Sequence, residues 1–243
     1  MTTTTGTATT RPAAPSGRHP RLDMVGTFVE EQILPLQRAY LSDLSSGVAT
    51  LAQLRRGAGK PVEEVPELWG LTSDARLYSQ APAHHEGPWP PETAAHIALT
   101  LYALHQQSHR DVRMHVPGRE LGNAVRRLMP PGDLDEPLRK RFVQAGSATN
   151  IDVLTSRLRA IVTLLRRAAI PLDYGLLADQ LLLAQQPGGM SRVRRAWGRS
   201  FHAYQAKAAE GTEPSGTPAS GGPANRTDAT HTTTDGTTEK DAQ

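Results

Sequence analysis

The feature that most constrains this chain is a set of apolar residues at helical spacing between Asn150 and Ala169. Ile151, Leu154, Leu158, Ile161 and Leu165 recur at intervals of 3, 4, 3 and 4. A helix turns by about 100° per residue, so these intervals stack one apolar stripe along one face; a strand would scatter it over both. Asn150 stands just ahead of the stripe, where its side-chain oxygen can accept from the free N–H groups of a first turn. The same periodicity returns along most of the chain. Strand signals are scarce: alternating β-branched runs are few, and no Asn-Gly or Asp-Gly turn joins two periodic segments.

One or two helices are expected from Leu22 to about Leu44, with Pro35 as a kink or junction. Val48–Arg56 continues helical and stops at Gly57-Ala58-Gly59. Lys60–Pro91, rich in Pro and Gly, reads as a long loop with a short element at Val65–Leu71. Pro91 suits the first turn of a helix reaching about Ser108, with Ile97, Leu101, Leu104 and Ser108 on one face. Further helices are expected at Arg119–Met129, Asp135–Ala145 and Asn150–Ala169. Another begins at Pro171 and Asp173 and stops at Pro187-Gly188-Gly189, and the last covers about Ser191–Lys207. The expected fold is therefore all-α, with seven to nine helices in a 21–209 domain, arranged as two small packed bundles of about 21–115 and 116–209. Residues 1–20 and 210–243, rich in Thr, Gly, Ala and Pro, offer too little apolar surface to offset the entropy of ordering them. They are expected to be disordered tails.

Several function classes are excluded or left without support. There is no cysteine, so no disulfide, thiolate nucleophile or cysteine metal site can form. Phosphate-loop, nucleophile-elbow and dinucleotide-binding glycine patterns are absent. The start lacks a secretory signal and no apolar run approaches a membrane span, so a cytoplasmic protein with no membrane partner is expected. Six histidines, His84, His85, His96, His105, His109 and His115, lie close together in sequence, and His105 and His109 are four apart. Gln106 stands where a zinc-helix glutamate would be and no third ligand is suitably spaced, so no metal or other cofactor is expected. His105 reads instead as a hydrogen-bonded core or interface residue. No pair of carboxylates suggests acid–base chemistry, and a non-enzymatic protein is expected.

What remains is charge. Residues 21–209 carry 23 basic and 18 acidic side chains, and nearly all the basic ones are arginine, whose planar fork grips phosphate and stacks on bases. On the last helix, Val193, Trp197, Phe201 and Tyr204 form the apolar stripe. Arg192, Arg195, Arg199 and His202 fall opposite, with no acidic residue from Ser191 to Ala209. A solvated face ordinarily mixes signs, whereas a one-sign stripe suits a polyanion. Arg126-Arg127, Arg139-Lys140-Arg141, and Arg157, Arg159, Arg166 and Arg167 on the Asn150–Ala169 helix repeat the theme. Together, residues 110–167 hold 12 basic and 6 acidic side chains. Basic clusters on several helices can build a groove for a nucleic-acid backbone. A helical DNA-binding transcriptional regulator is the alternative, although no tight helix-turn-helix spacing stands out.

Four segments, in order, resemble the CasB family, the small subunit of the type I-E CRISPR Cascade complex. They are Ala52-Gln53-Leu54-Arg55-Arg56 followed by Pro66-Glu67-Leu68-Trp69; Ala103-Leu104-His105-Gln106-Gln107-Ser108; Glu120-Leu121-Gly122-Asn123-Ala124-Val125-Arg126-Arg127-Leu128; and Leu172-Asp173-Tyr174 with Leu176-Leu177-Ala178-Asp179-Gln180-Leu181. Their order and spacing, over roughly residues 24–205, carry the resemblance. It implies two small helical bundles, two copies packed head to tail beside other Cascade subunits, and no catalytic site. It also implies backbone contacts to crRNA and target DNA that stabilise their hybrid and the displaced strand, the R-loop. By match to the family's basic positions, the contacts would come from Arg139, Lys140, Arg141, Arg157 and Arg159, then Arg126 and Arg127. Arg55 and Arg56 match paired family arginines and are equally consistent with a structural role. Arg166 joins the set by its place on the Asn150–Ala169 helix. The stripe Arg192, Arg195 and Arg199 rests on helical spacing alone, and its partner could be nucleic acid or another protein subunit.

Overall fold

In a computed structural model, the described residues are 21–82, 84–131 and 133–210, the side chains of 205–210 excepted. The two tails expected to be disordered lie outside them, save Glu210. Among the described residues the architecture is all-α, as expected: α1 (Met24–Leu41), α2 (Ser45–Arg55), α3 (Trp69–Thr72), α4 (Pro90–Gln106), α5 (Leu121–Arg127), α6 (Glu136–Gly146), α7 (Ile151–Arg167), α8 (Tyr174–Ala184) and α9 (Gly189–Glu210). Short 3-10 turns at Val62–Glu64, Pro66–Leu68 and Ala75–Tyr78 break up the expected long loop, pinned by buried Val62, Val65, Leu68 and Leu77.

Side chains at the helix starts explain the boundaries. Asp135, Asn150 and Asp173 each accept a hydrogen bond from the backbone N–H three residues on, at 2.9 Å, satisfying a donor that the helix itself cannot. At α1 the cap comes from another helix: the Asp179 carboxylate on α8 accepts from the backbone N–H groups of Asp23 (2.8 Å) and Gly26 (2.6 Å). A Cβ at Gly26 would lie 2.3 Å from that carboxylate, so glycine is what lets the two helices meet. Burial pushes the Asp179 carboxyl up to about 6, even with two N–H donors holding it down. Pro35 is no junction. It lies inside the single helix α1 on an exposed face, where water can serve the carbonyl that its missing N–H leaves free.

Helix α4 departs most from expectation. Its seam implies one buried face, yet every residue from Ala94 to Ala103 is buried. Ser108, expected on the seam, lies beyond the helix end, exposed and with φ of 70°. α4 packs against α1, α2, α7 and α8, which together surround it. The stretch Ala94–Gln106 contains no charged Asp, Glu, Lys or Arg, the composition of a helix buried all round. Two of its polar side chains find backbone partners: the Thr100 hydroxyl donates to the His96 carbonyl (2.8 Å), and His96 Nε2 meets the Lys60 carbonyl (3.1 Å).

α9 packs on α5, α6 and α8, and α6 also packs on α7. The elements thus group as α1, α2, α4 and α8, and as α5, α6, α7 and α9, around one continuous apolar core. A divide near residue 115 would separate α8 from α1 and α4. A buried polar junction ties the first group to the chain around residue 115. The Gln37 side chain accepts from the His115 N–H (2.9 Å) and donates to its carbonyl (3.2 Å). His115 Nδ1 accepts from the Tyr174 N–H (3.1 Å), and the Tyr174 hydroxyl bonds His105 Nδ1 (2.8 Å).

Candidate nucleic-acid interface

The buried face of α6, formed by Leu138, Ala145 and Gly146, turns Arg139, Lys140 and Arg141 outward. Arg139 is partly neutralised. Its Nε and Nη2 donate to the Glu136 carboxylate at 2.6 and 2.7 Å, and the pair is exposed. Arg141 lines a shallow groove with Leu128, Leu138, Leu164 and the exposed Arg167 of α7. A second groove, about 520 Å³ between α6 and α9, has Arg139, Arg194 and His202 among its lining, over Phe142, Trp197 and Phe201. Phe142 stacks on both, with ring centroids 6.1 and 5.6 Å away.

On α7 the arginines divide by role. Arg159 is exposed, and its aliphatic stem lies over Gly59. A Cβ there would come within 2.9 Å of Arg159 Cδ, and the φ of 87° independently favours glycine. This places α7 beside the turn that follows α2, where the exposed Arg55 ends the helix and the exposed Arg56 follows it. Arg157 is half-buried and its Nη1 donates to the Gln144 carbonyl of α6. Arg166, also half-buried, donates from Nη1 to Gln107 Oε1 (2.8 Å), while its own carbonyl meets His109 Nε2 (2.8 Å). Both Arg157 and Arg166 therefore tie elements together.

Arg126 requires a correction. It is 3 % exposed, and its Nη1 donates to the Pro130 carbonyl at 3.1 Å. It shares a helix face with Gly122, where a Cβ would lie 2.0 Å from the Trp197 carbonyl of α9. The tight α5–α9 crossing buries that face, so Arg126 cannot present its guanidinium to a phosphate in this fold. Arg127 is half-buried. On α9, Arg192, Arg195, Arg199 and His202 are exposed opposite the buried Val193, Trp197 and Phe201, with Arg192 reaching Gln186 Oε1 at 3.3 Å.

Among the described residues, no carboxylate lies within ion-pairing distance of Arg55, Arg56, Lys140, Arg141, Arg159, Arg195 or Arg199. Glu120 and Glu136 partly offset the charges of Arg199 and Lys140, while the unpaired guanidiniums of Arg141, Arg159 and Arg195 raise the local potential toward anions. Arg167 and Arg194 belong with these groups. Helical spacing does not single out Arg194, which lies beside the Arg192–Arg195–Arg199 stripe rather than on it, and its lodging against Gly146 of α6 is a tertiary contact.

His105 and His109 have different hydrogen-bond partners. His105 is fully buried against Tyr174, and burial lowers its pKa to about 3, keeping it neutral. His109 meets the Arg166 carbonyl, and no group of three or more metal-ligating side chains occurs among the described residues. No helix among them is long and apolar enough to cross a membrane.

The family model of the CRISPR-associated protein Cse2 matches residues 50–202. The crystal structure of CasB from Thermobifida fusca is similar at 58% sequence identity and a TM-score of 0.67, over 75% of this chain and 99% of that one. A chain of a CRISPR RNA-guided surveillance complex superposes with a TM-score of 0.60 at 19% identity, over 78% of this chain and 99% of that one. M. ruber CasB superposes with a TM-score of 0.52 at 24% identity, over 73% and 96%. These last two likenesses bear on the fold alone. No curated protein matches the chain. The family match over most of the helical region, with the 58% identical structure, shows that this chain belongs to the CRISPR-associated Cse2 (CasB) family.

Proposed function

We propose that this protein is a non-catalytic small subunit of an RNA-guided CRISPR surveillance complex of the type I-E Cascade kind, and that it holds nucleic-acid backbone with arginines of α6, α7 and α9. The observation that carries the reading is the set of exposed guanidiniums without an ion-paired carboxylate among the described residues, centred on Arg141, Arg159 and Arg195. Exchange of target DNA from its own complement to a guide RNA is close to balanced in free energy, so contacts to phosphates can tip it. Such contacts need charge and position, not a base code. The ligands would be the crRNA–target hybrid and the displaced strand. The protein partners would be other Cascade subunits and a second copy of this chain, head to tail. Lys140, Arg55, Arg56 and Arg192 extend the contact set, with Arg127 and Arg139 at its margins. Arg157 and Arg166 would support it by fixing α7 to its neighbours.

Sequence independence tests this reading. Binding of the purified protein to duplexes, single strands and RNA–DNA hybrids of unrelated sequence should be nearly equal at fixed salt. A regulator reading bases would lose ~1–3 kcal/mol per mismatched pair. A preferred palindrome would sink the backbone-holding role and favour a transcriptional regulator.

A further inference from the structure

We propose that the aromatic groove beside α3 receives an arginine or lysine side chain from a protein partner. The groove has a volume of about 490 Å³ and is lined by Trp69, Tyr78, Trp89 and His85, with Glu63 and Glu92 among its walls. Trp69 is 51% exposed and Tyr78 41%, large ring areas to leave in water. Neither indole N–H is available to a ligand: Trp69 Nε1 donates to the Val62 carbonyl (3.2 Å) and Trp89 Nε1 to the Leu77 carbonyl. What the indoles can still offer is ring surface. His85 packs edge-on to Trp89 with centroids 4.8 Å apart, fixing one wall.

Charge selects the occupant. The segment from Pro61 to Glu92 carries six carboxylates, Glu63, Glu64, Glu67, Asp74, Glu86 and Glu92, against a single arginine. That arginine, Arg76, is already paired with Glu31 and Asp74. Glu92 is held by the Ser73 hydroxyl, and no cationic side chain lies within ion-pairing distance of Glu63 or Glu92 among the described residues. Phosphate would be repelled here. A guanidinium or ammonium would gain both cation–π attraction and carboxylate partners, and its alkyl stem would cover the rings. Exposed arginines on α6, α7 and α9 suit polyanions, whereas this acidic, aromatic groove suits a cationic protein segment. This site is independent of the nucleic-acid reading.

The test is an NMR titration of the full chain, following its three indole N–H signals as N-acetylarginine amide is added. Trp69 and Trp89 should shift while the buried Trp197 stays still. Glu63→Gln and Glu92→Gln should each weaken the interaction about two- to five-fold, as expected for partly exposed charge pairs. N-acetylcitrulline amide, equal in shape but uncharged, should shift neither signal. The proposal is overturned if arginine amide leaves both signals in place, or if citrulline amide or oligothymidine moves them equally. It is also overturned if both signals move on diluting the protein alone, which would make a second copy the occupant.

Discussion

At the scale of single residues, Arg126 and Arg141 separate two uses of the same side chain. Arg126 is buried against the Pro130 carbonyl, whereas Arg141 is exposed with no ion-pair partner among the described residues. Arg126→Ala should therefore lower the denaturation midpoint by removing a buried packing element, while nucleic-acid affinity per folded molecule stays the same. Arg141→Ala should do the reverse. Sequence does not distinguish Arg126 from Arg127, because the burial of one face of α5 is imposed by α9, some 70 residues on. The histidines make a second residue-scale prediction. Burial holds His105 at about 3 and lowers His96 and His115, against 6.5 for an exposed imidazole. Below about 6.5 the unfolded chain binds protons that the native state refuses, so these groups lose stability for the fold as pH falls. Asp179, raised to about 6, acts oppositely between its unfolded value near 3.8 and 6, because there the native state binds the extra proton. Comparing melting temperatures of wild type and His105→Gln from about pH 7 to about pH 5 isolates His105: the variant should lose less stability over that window. Parallel curves would contradict the buried neutral imidazole.

At the scale of elements, two contacts carry much of the architecture. Asn150 caps α7 through the Val153 N–H, and Asn150→Ala should cost ~1 kcal/mol in urea unfolding. Gly122 sits where α5 meets the α9 backbone. Gly122→Ala forces the two helices apart and should cost ~1–3 kcal/mol, whereas Gly70→Ala, with no atom within 4 Å of the added Cβ, should be close to neutral or slightly stabilising. Equal effects at the two glycines would contradict the crossing. The caps and the α7 and α9 stripes are legible in sequence because they are local: a side chain reaching three residues on, or a repeat of 3 and 4. The burial of α4 on all sides is not, because the seam at Ile97 and Leu101 looks the same whether one or four neighbours cover the helix. The cap of α1 by Asp179 is equally hidden, since its partners lie more than 150 residues apart.

For the whole molecule, the central claim is that arginines from separate helices act as one backbone-holding surface. The three-residue run on α6, the exposed Arg159 of α7 and the α9 stripe are distant in sequence. The packing of α6 on α7 and of α9 on α6 makes them neighbouring elements. The clusters and their sign are plain in the sequence. That Arg157 and Arg166 each direct an Nη1 donor to Gln144 and Gln107, or that Arg194 lodges beside Gly146, depends on tertiary packing that no local pattern encodes. The most direct measurement is the salt dependence of nucleic-acid binding for wild type and for a variant with Arg139, Lys140 and Arg141 all changed to Glu. The variant should bind more weakly at low salt, and its slope of log affinity against log salt should become shallower by ~0.7–0.9 for each phosphate no longer neutralised. An unchanged affinity and an unchanged slope in a variant that folds normally would contradict the account.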